Sequence, residues 1–125
     1  MKIKEQPENR FYVYAYLDPR KPGIYTYGEY TFDYEPFYIG KGTGSRLYRH
    51  LWESENNTTN NYKFRLIKKI IEETNNKPII IKLKSNLTNS ESIKLEMNII
   101  KKIGKKSNGG ILTNVLNGGE IIVNN

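Results

Sequence analysis

The sequence predicts an α/β (α+β) domain in which about three strands form one small central sheet with helices around it. Three observations predict it. Residues 11–17, Phe-Tyr-Val-Tyr-Ala-Tyr-Leu, place a tyrosine at every second position, the period of a strand with two different faces. Residues 37–51 pass from an aromatic and β-branched run through three alternating glycines into a helix-forming segment. Residues 62–74 and 90–103 space apolar side chains at the helical period, and between them lies a strand-like run at 78–84.

The elements follow in order. Residues 1–10 are a polar, charged lead-in. In the first strand, Phe11, Val13, Ala15 and Leu17 share the face expected to meet the core. Tyr12, Tyr14 and Tyr16 share the other, expected to line something wetter. Asp18-Pro19-Arg20 is expected to end that strand. Residues 20–35 read as an insertion, either an extra hairpin or a long loop, with a turn at Pro22-Gly23 and scattered tyrosines at 25, 27, 30 and 34. A second strand occupies 36–40. The next helix is expected from Ser45, as N-cap, to about Ser54, with Leu47 and Leu51 inward and Arg46 and His50 four residues apart on one face. The second helix, 62–74, has Phe64, Ile67, Ile70 and Ile71 on its apolar side, and the strand at 78–84 alternates Ile81 and Leu83 against Lys82 and Lys84. The third helix, 90–103, carries a stripe of Ile93, Met97, Ile100 and Ile103 and stops at Gly104. A short final strand is expected at 121–123. With no repeat or linker visible, residues 1–125 read as a single domain.

A chain of 125 residues with a formal net charge of +7 points to an acidic partner, nucleic acid first. It has no cysteine and one histidine, which excludes disulfides, thiolate-held zinc and a multi-histidine zinc site. A metal, if used, should be a hard cation held by oxygen, such as Mg²⁺. No leader-like or membrane-length apolar run is present, so the expectation is a cytoplasmic protein with no membrane partner. Gly40-Lys41-Gly42-Thr43-Gly44 lacks the spacing of a phosphate-binding loop, so no nucleotide cofactor is expected. Glu96 stands three residues after Ile93 and four before Ile100, within the apolar stripe. A carboxylate there calls for a cationic or metal partner.

Tyr38-Ile39-Gly40, followed by Arg46 and His50 on the next helix, with Glu96 later and Asn114 near the end, resembles a GIY-YIG nuclease domain over nearly the whole chain. For the first motif two segments compete. A literal Gly23-Ile24-Tyr25 occurs, but Tyr12-Val13-Tyr14 lies in the better strand, so Tyr14 is preferred to Tyr25. The resemblance implies an antiparallel sheet and endonucleolytic hydrolysis of DNA phosphodiesters with Mg²⁺ or Mn²⁺. It implies that Glu96 holds the metal and that Arg46 offers a planar cation to the scissile phosphate. Tyr14, or else Tyr38 or His50, would position or deprotonate the water. A tyrosine acting as base needs a cation nearby, and Lys41 is the candidate. Asn114 would order the site by hydrogen bonds. Arg49, Lys63, Arg65, Lys68, Lys69, Lys101, Lys102, Lys105 and Lys106 are expected to grip the DNA backbone. A free-standing or mobile-element nuclease without a separate DNA-binding module is the expected setting, with a homodimer or a separate targeting partner both open. The alternative is a non-catalytic nucleic-acid-binding module that retains the fold.

Overall fold

The computed structural model describes residues 8–56 and 61–115, so the expected strand at 121–123 lies outside the described residues. The sheet has three strands in the order β2-β1-β3, with β1 (Phe11–Tyr27) in the centre, antiparallel to both β2 (Tyr30–Gly42) and β3 (Ile79–Leu87). The helices are α1 (Arg49–Asn56), α2 (Tyr62–Thr74) and α3 (Asn89–Ile103), and a single 3-10 turn, Arg46–Tyr48, leads into α1. This is an α+β fold. No helix among the described residues is long and apolar enough to cross a membrane.

The first strand does not stop at Asp18-Pro19-Arg20. It continues to Tyr27, turns at Gly28, whose φ of 61° suits a residue without Cβ, and returns as β2. Residues 20–35 therefore form the outer arm of one long hairpin. The proline signal marks a local irregularity instead, since the β1–β2 pairing shifts register between Asp18 and Pro22. At this break the Arg20 guanidinium folds back onto the Asp18 carboxylate through Nε at 3.0 Å and Nη2 at 2.7 Å, and reaches Glu73 on α2 at 3.1 Å. Side-chain bonding thus replaces the ladder where the prolines interrupt it.

Both faces of the sheet are covered. Val13, Ala15, Leu17 and Ile39 pack with Ile99, Ile100 and Ile103 of α3. On the opposite face Tyr12, Tyr14, Tyr16 and Phe37 pack with Leu47, Leu51, Phe64, Ile67 and Ile70 from the α1 and α2 side. The tyrosine face is thus buried, not wet, and this corrects the sequence reading. Burial is tolerable because hydroxyls find backbone partners. Tyr12 donates to the Gly44 carbonyl at 2.8 Å and accepts from the Leu47 N–H at 3.0 Å, and Tyr16 donates to the Leu47 carbonyl.

Two helix starts also differ from expectation. Ser45 makes no side-chain cap, and the chain enters α1 through the 3-10 turn, so Arg46 stands on that turn and not on the α-helix with His50. For α3, Thr88 and Glu91 form a reciprocal capping box, which sets the start one residue earlier. The buried stripe of α3 is Ser92, Glu96, Ile99, Ile100 and Ile103. Met97 is exposed, so the inward face is turned from the one expected, with Glu96 at its middle.

The Asp18–Arg20 pair should be measurable in stability. Asp18 has a side chain 3% exposed against 19% for Arg20. Burial alone would raise the Asp18 carboxyl, but the hydrogen bonds and charge of Arg20 outweigh it and hold the group below the usual carboxylate range. Arg20→Ala leaves that carboxylate buried without its cation and should lower unfolding free energy by about 3 kcal/mol at pH 7 in denaturant titrations. Because the folded value is depressed, this contribution is present above the ordinary carboxylate range and is lost as pH falls through the folded value. The gap between the unchanged protein and the variant should accordingly close in acid.

Candidate active site

Strand register sets the first members of the site side by side. Tyr14 on β1 pairs with Gly40 on β2, and its ring lies 6.3 Å from that of Tyr38. A Cβ on Gly40 would sit 2.5 Å from the Tyr14 hydroxyl oxygen. Glycine is required at position 40 by this close approach, since its backbone there is not left-handed. Tyr25, the competing candidate, pairs with Phe32 in the outer arm and packs with the α3-side core.

Beyond Gly40 the chain leaves the sheet through Gly42, Thr43 and Gly44. The Arg46 N–H bonds the Thr43 carbonyl at 3.1 Å, and the Arg46 side chain passes so near Gly42 that a Cβ there would lie 3.1 Å from it. Arg46 itself is exposed. One turn on, the His50 ring meets Tyr38 edge-on at 4.6 Å and Tyr16 at 5.8 Å. Among the described residues its buried Nδ1 has no hydrogen-bond partner, and Glu53 Oε1, at 3.9 Å, is too far to supply one. Burial, followed by the charges of Lys63, Arg46 and Arg49, brings the His50 imidazole down to about 3, so it is neutral at pH 7 and makes no ion pair with Glu53.

Glu96 comes in from α3, buried at 8% exposure one turn after the buried Ser92. Its charge reaches both phenols. Burial is the largest influence on Tyr14, followed by the neighbouring tyrosines and then Glu96, and together they raise it far above the ordinary tyrosine range. Burial also raises Tyr38, with Glu96 second and Arg46 opposing. Both hydroxyls keep their protons at neutral pH in this environment. Tyr14, Tyr38, Arg46, His50 and Glu96 therefore share one electrostatic neighbourhood.

Lys41 does not. It is one residue past Gly40, so strand alternation sends it to the other face of the sheet. Its Nζ lies 3.5 Å from Asn89 Oδ1 and 5.8 Å from the Phe11 ring centroid. This corrects its expected role beside Tyr14. Asn114 acts on backbone: its Oδ1 accepts from Ile39 N–H at 3.1 Å and its Nδ2 donates to Ile39 C=O at 2.7 Å. With Thr113, which bonds the Phe37 carbonyl through N at 2.7 Å and Oγ1 at 2.9 Å, it pins the strand that carries Tyr38.

The cations expected to grip DNA are not one surface. Lys63 lies inside the site, its Nζ 4.6 Å from the Tyr38 ring centroid. Lys102 stands 3.9 Å from Glu29 and 5.8 Å from the Tyr30 ring, tying the outer arm to α3. Lys105 donates to the Val115 carbonyl at 3.3 Å, and Lys69 stands 3.9 Å from Glu73. Lys106 and Arg65 flank the Tyr62 ring, while Arg49, Lys68 and Lys101 are exposed. Sequence reasoning missed Tyr12 and Tyr16 as anchors of the glycine turn, although their alternation with Tyr14 was visible. It expected Lys63 only as a contact to the DNA backbone and missed its place beside Tyr38. The available signal was a lysine in the first turn of a helix, where the dipole disfavours a cation.

His50, the only histidine in the chain, gives one ring signal to follow by NMR. That signal should stay in its neutral form from pH 7 down to about pH 4, with protonation near the value of about 3. Because the folded value lies below the ordinary 6.5, the unfolded chain takes up the proton first, so His50 should cost stability as pH falls from 6.5 toward 3. A His50→Gln variant should show a shallower loss over that window. Gly40→Ala should displace the Tyr14 ring and lower stability by about 1–3 kcal/mol in a thermal or denaturant melt.

The family model described as the LEM-3-like GIY-YIG domain matches residues 11–124 of the chain. No curated protein and no solved structure matches it significantly.

Proposed function

Because the chain belongs to the GIY-YIG family of nuclease domains, in its LEM-3-like form, we propose that it is a Mg²⁺- or Mn²⁺-dependent endonuclease that hydrolyses phosphodiester bonds in DNA. The observation that carries this reading is the carboxylate of Glu96 buried in the middle of the inward stripe of α3, in a fold that also sets Tyr14 and Tyr38 side by side. A pure binding surface has no use for a carboxylate buried in the inward stripe of a helix. This weighs against the non-catalytic alternative.

The donor set fits a hard divalent cation. Among the described residues no group of three or more His, Asp or Glu could form a closed metal cage. One carboxylate suits Mg²⁺, which keeps several waters and shares its remaining positions with substrate phosphate. Glu96 would hold it, and when bound it would supply Lewis-acid stabilisation of charge on the phosphate oxygens. The chain's own residues do the rest. Arg46, exposed at the mouth of the glycine turn, presents a fixed planar cation to the scissile phosphate. Tyr14, with its proton retained, orients the attacking water through its hydroxyl, and the neutral His50 imidazole offers a further acceptor. The water oxygen bonds to phosphorus as the bond to the leaving oxygen breaks; one water proton ends on the leaving oxygen, making it a hydroxyl, and the other passes to the phosphomonoester or to solvent. Asn114 holds the Tyr38 strand in register. The exposed cations Arg49, Arg65, Lys68, Lys101 and Lys106 contribute salt-dependent contacts to backbone phosphates.

Supercoiled plasmid incubated with the protein in Mg²⁺ and in EDTA tests this. Nicking or linearisation is expected only with metal. Glu96→Ala should abolish it while leaving duplex affinity in EDTA within about threefold, because no phosphate-contacting cation has been removed. Arg46→Ala should lose on the order of 100-fold in rate, with a much smaller loss in affinity. Cleavage undiminished in Glu96→Ala, or none by the unchanged protein on plasmid, branched and single-stranded DNA, would refute the proposal.

A further inference from the structure

Lys63 occupies an unfavourable position. It is the second residue of α2, in the first turn, where the helix dipole presents its positive end, and a solvated lysine face would have been served equally well elsewhere. It is also half-buried, with its ammonium 4.6 Å from the Tyr38 ring centroid and 4.9 Å from that of Phe64. The Tyr38 ring that receives it is the same ring that His50 meets at 4.6 Å. The groups whose charge bears on this corner are Tyr38 from β2, His50 and Glu53 from α1, and Arg46 and Arg49 beside them. Burial lowers the Lys63 ammonium to about 8, against a smaller upward pull from Glu53.

We propose that Lys63 is a second catalytic cation of this site, which contacts a non-bridging oxygen of the scissile phosphate opposite Arg46 and stabilises the charge that builds there as water bonds to phosphorus. This rests on the endonuclease reading above. Charge in such a transition state spreads over the equatorial oxygens, so a single guanidinium cannot meet it from every side. A partly desolvated ammonium interacts more strongly with that charge than a surface lysine does. The aromatic face of Tyr38 holds the ammonium in place before substrate arrives, so little reorganisation is needed. The same charge helps keep His50 neutral and free to accept a hydrogen bond. No proton leaves Lys63 in the reaction. It acts only in its charged form.

The test uses the full chain on plasmid DNA with Mg²⁺, following kcat and kcat/KM between pH 6 and pH 10 for the unchanged protein, Lys63→Met and Lys63→Arg. Duplex affinity in EDTA and melting temperature are measured beside them. In the unchanged protein kcat/KM, which reports groups of the free enzyme, should fall above about pH 8. Lys63→Met should lose on the order of 100-fold in kcat at pH 7.5, with duplex affinity within about threefold. Lys63→Arg, whose cation does not titrate, should keep activity and lose the alkaline fall. A lysine that merely covers the Tyr38 ring would leave the pH profile unmoved. Folded Lys63→Met cutting within threefold of the unchanged protein would overturn the inference and leave the endonuclease reading standing. An alkaline fall that persists in Lys63→Arg would do the same, and it decides the matter if Lys63→Met does not fold. Absence of cleavage by the unchanged protein would overturn both.

Discussion

The ring of Tyr14 crosses the backbone of β2 at Gly40, at a distance no side chain at that position could allow. Much else depends on this contact. It requires glycine at 40, two residues before β2 ends and the chain turns away through Gly42 and Gly44. That turn in turn delivers Arg46 and His50. It also requires the pairing of β1 with β2 to be correct to the residue, because a slip of one position would carry Tyr14 to the α3 face and Val13 to the site. The two tyrosine hydroxyls beside it, on Tyr12 and Tyr16, tie down the turn from beneath by bonding Gly44 and Leu47. The site is thus built on a strand pair and its exit, with buried phenols as the fasteners.

Burial on both faces also sets the charges of the site. The sheet is covered by α1 and α2 on one side and α3 on the other, so ionisable groups between these layers are partly desolvated before any neighbour acts. Desolvation is the leading influence on Tyr14, Tyr38, His50 and Lys63 alike. It favours the neutral phenol, the neutral imidazole and a weakened ammonium. Pairwise charges then adjust each group, with Glu96 and Arg46 acting in opposite directions on Tyr38.

Local signals in the sequence were sufficient for the architecture. The alternation at 11–17, the helical periods at 62–74 and 90–103, and the strand between them specify elements that the structure contains, because each depends on short-range periodicity. Family likeness through Tyr38, Arg46, His50 and Glu96 could be seen for the same reason. What could not be seen depends on pairs distant in sequence. Asp18-Pro19-Arg20 reads as a stop, yet Arg20 bridges to Asp18 and to Glu73, fifty-three residues away, and the strand goes on. The tyrosine face reads as half-wet because nothing local says that α1 and α2 will both pack on it. Lys41 was misassigned by one step of strand alternation. Lys63 was grouped with surface lysines because its contact with Tyr38 joins separate elements.

The outer arm of the hairpin is held differently from its inner half. The segment of β1 that carries Tyr12, Tyr14 and Tyr16 is paired on one side with β2 and on the other with β3, and β2 is in turn pinned by Thr113 and Asn114. The arm beyond Asp18 is joined to this clamped half across a break in register and through Phe32, which is buried in the α3-side core, with Arg20 to Glu73 and Lys102 to Glu29 as its polar anchors. The break in register separates the pairing of the arm from the ladder that sets Tyr14 against Gly40. One continuous hairpin thus holds two regions of unequal constraint: an inner one paired on both sides to the residue, and an outer one that keeps its place through one buried aromatic and two polar anchors.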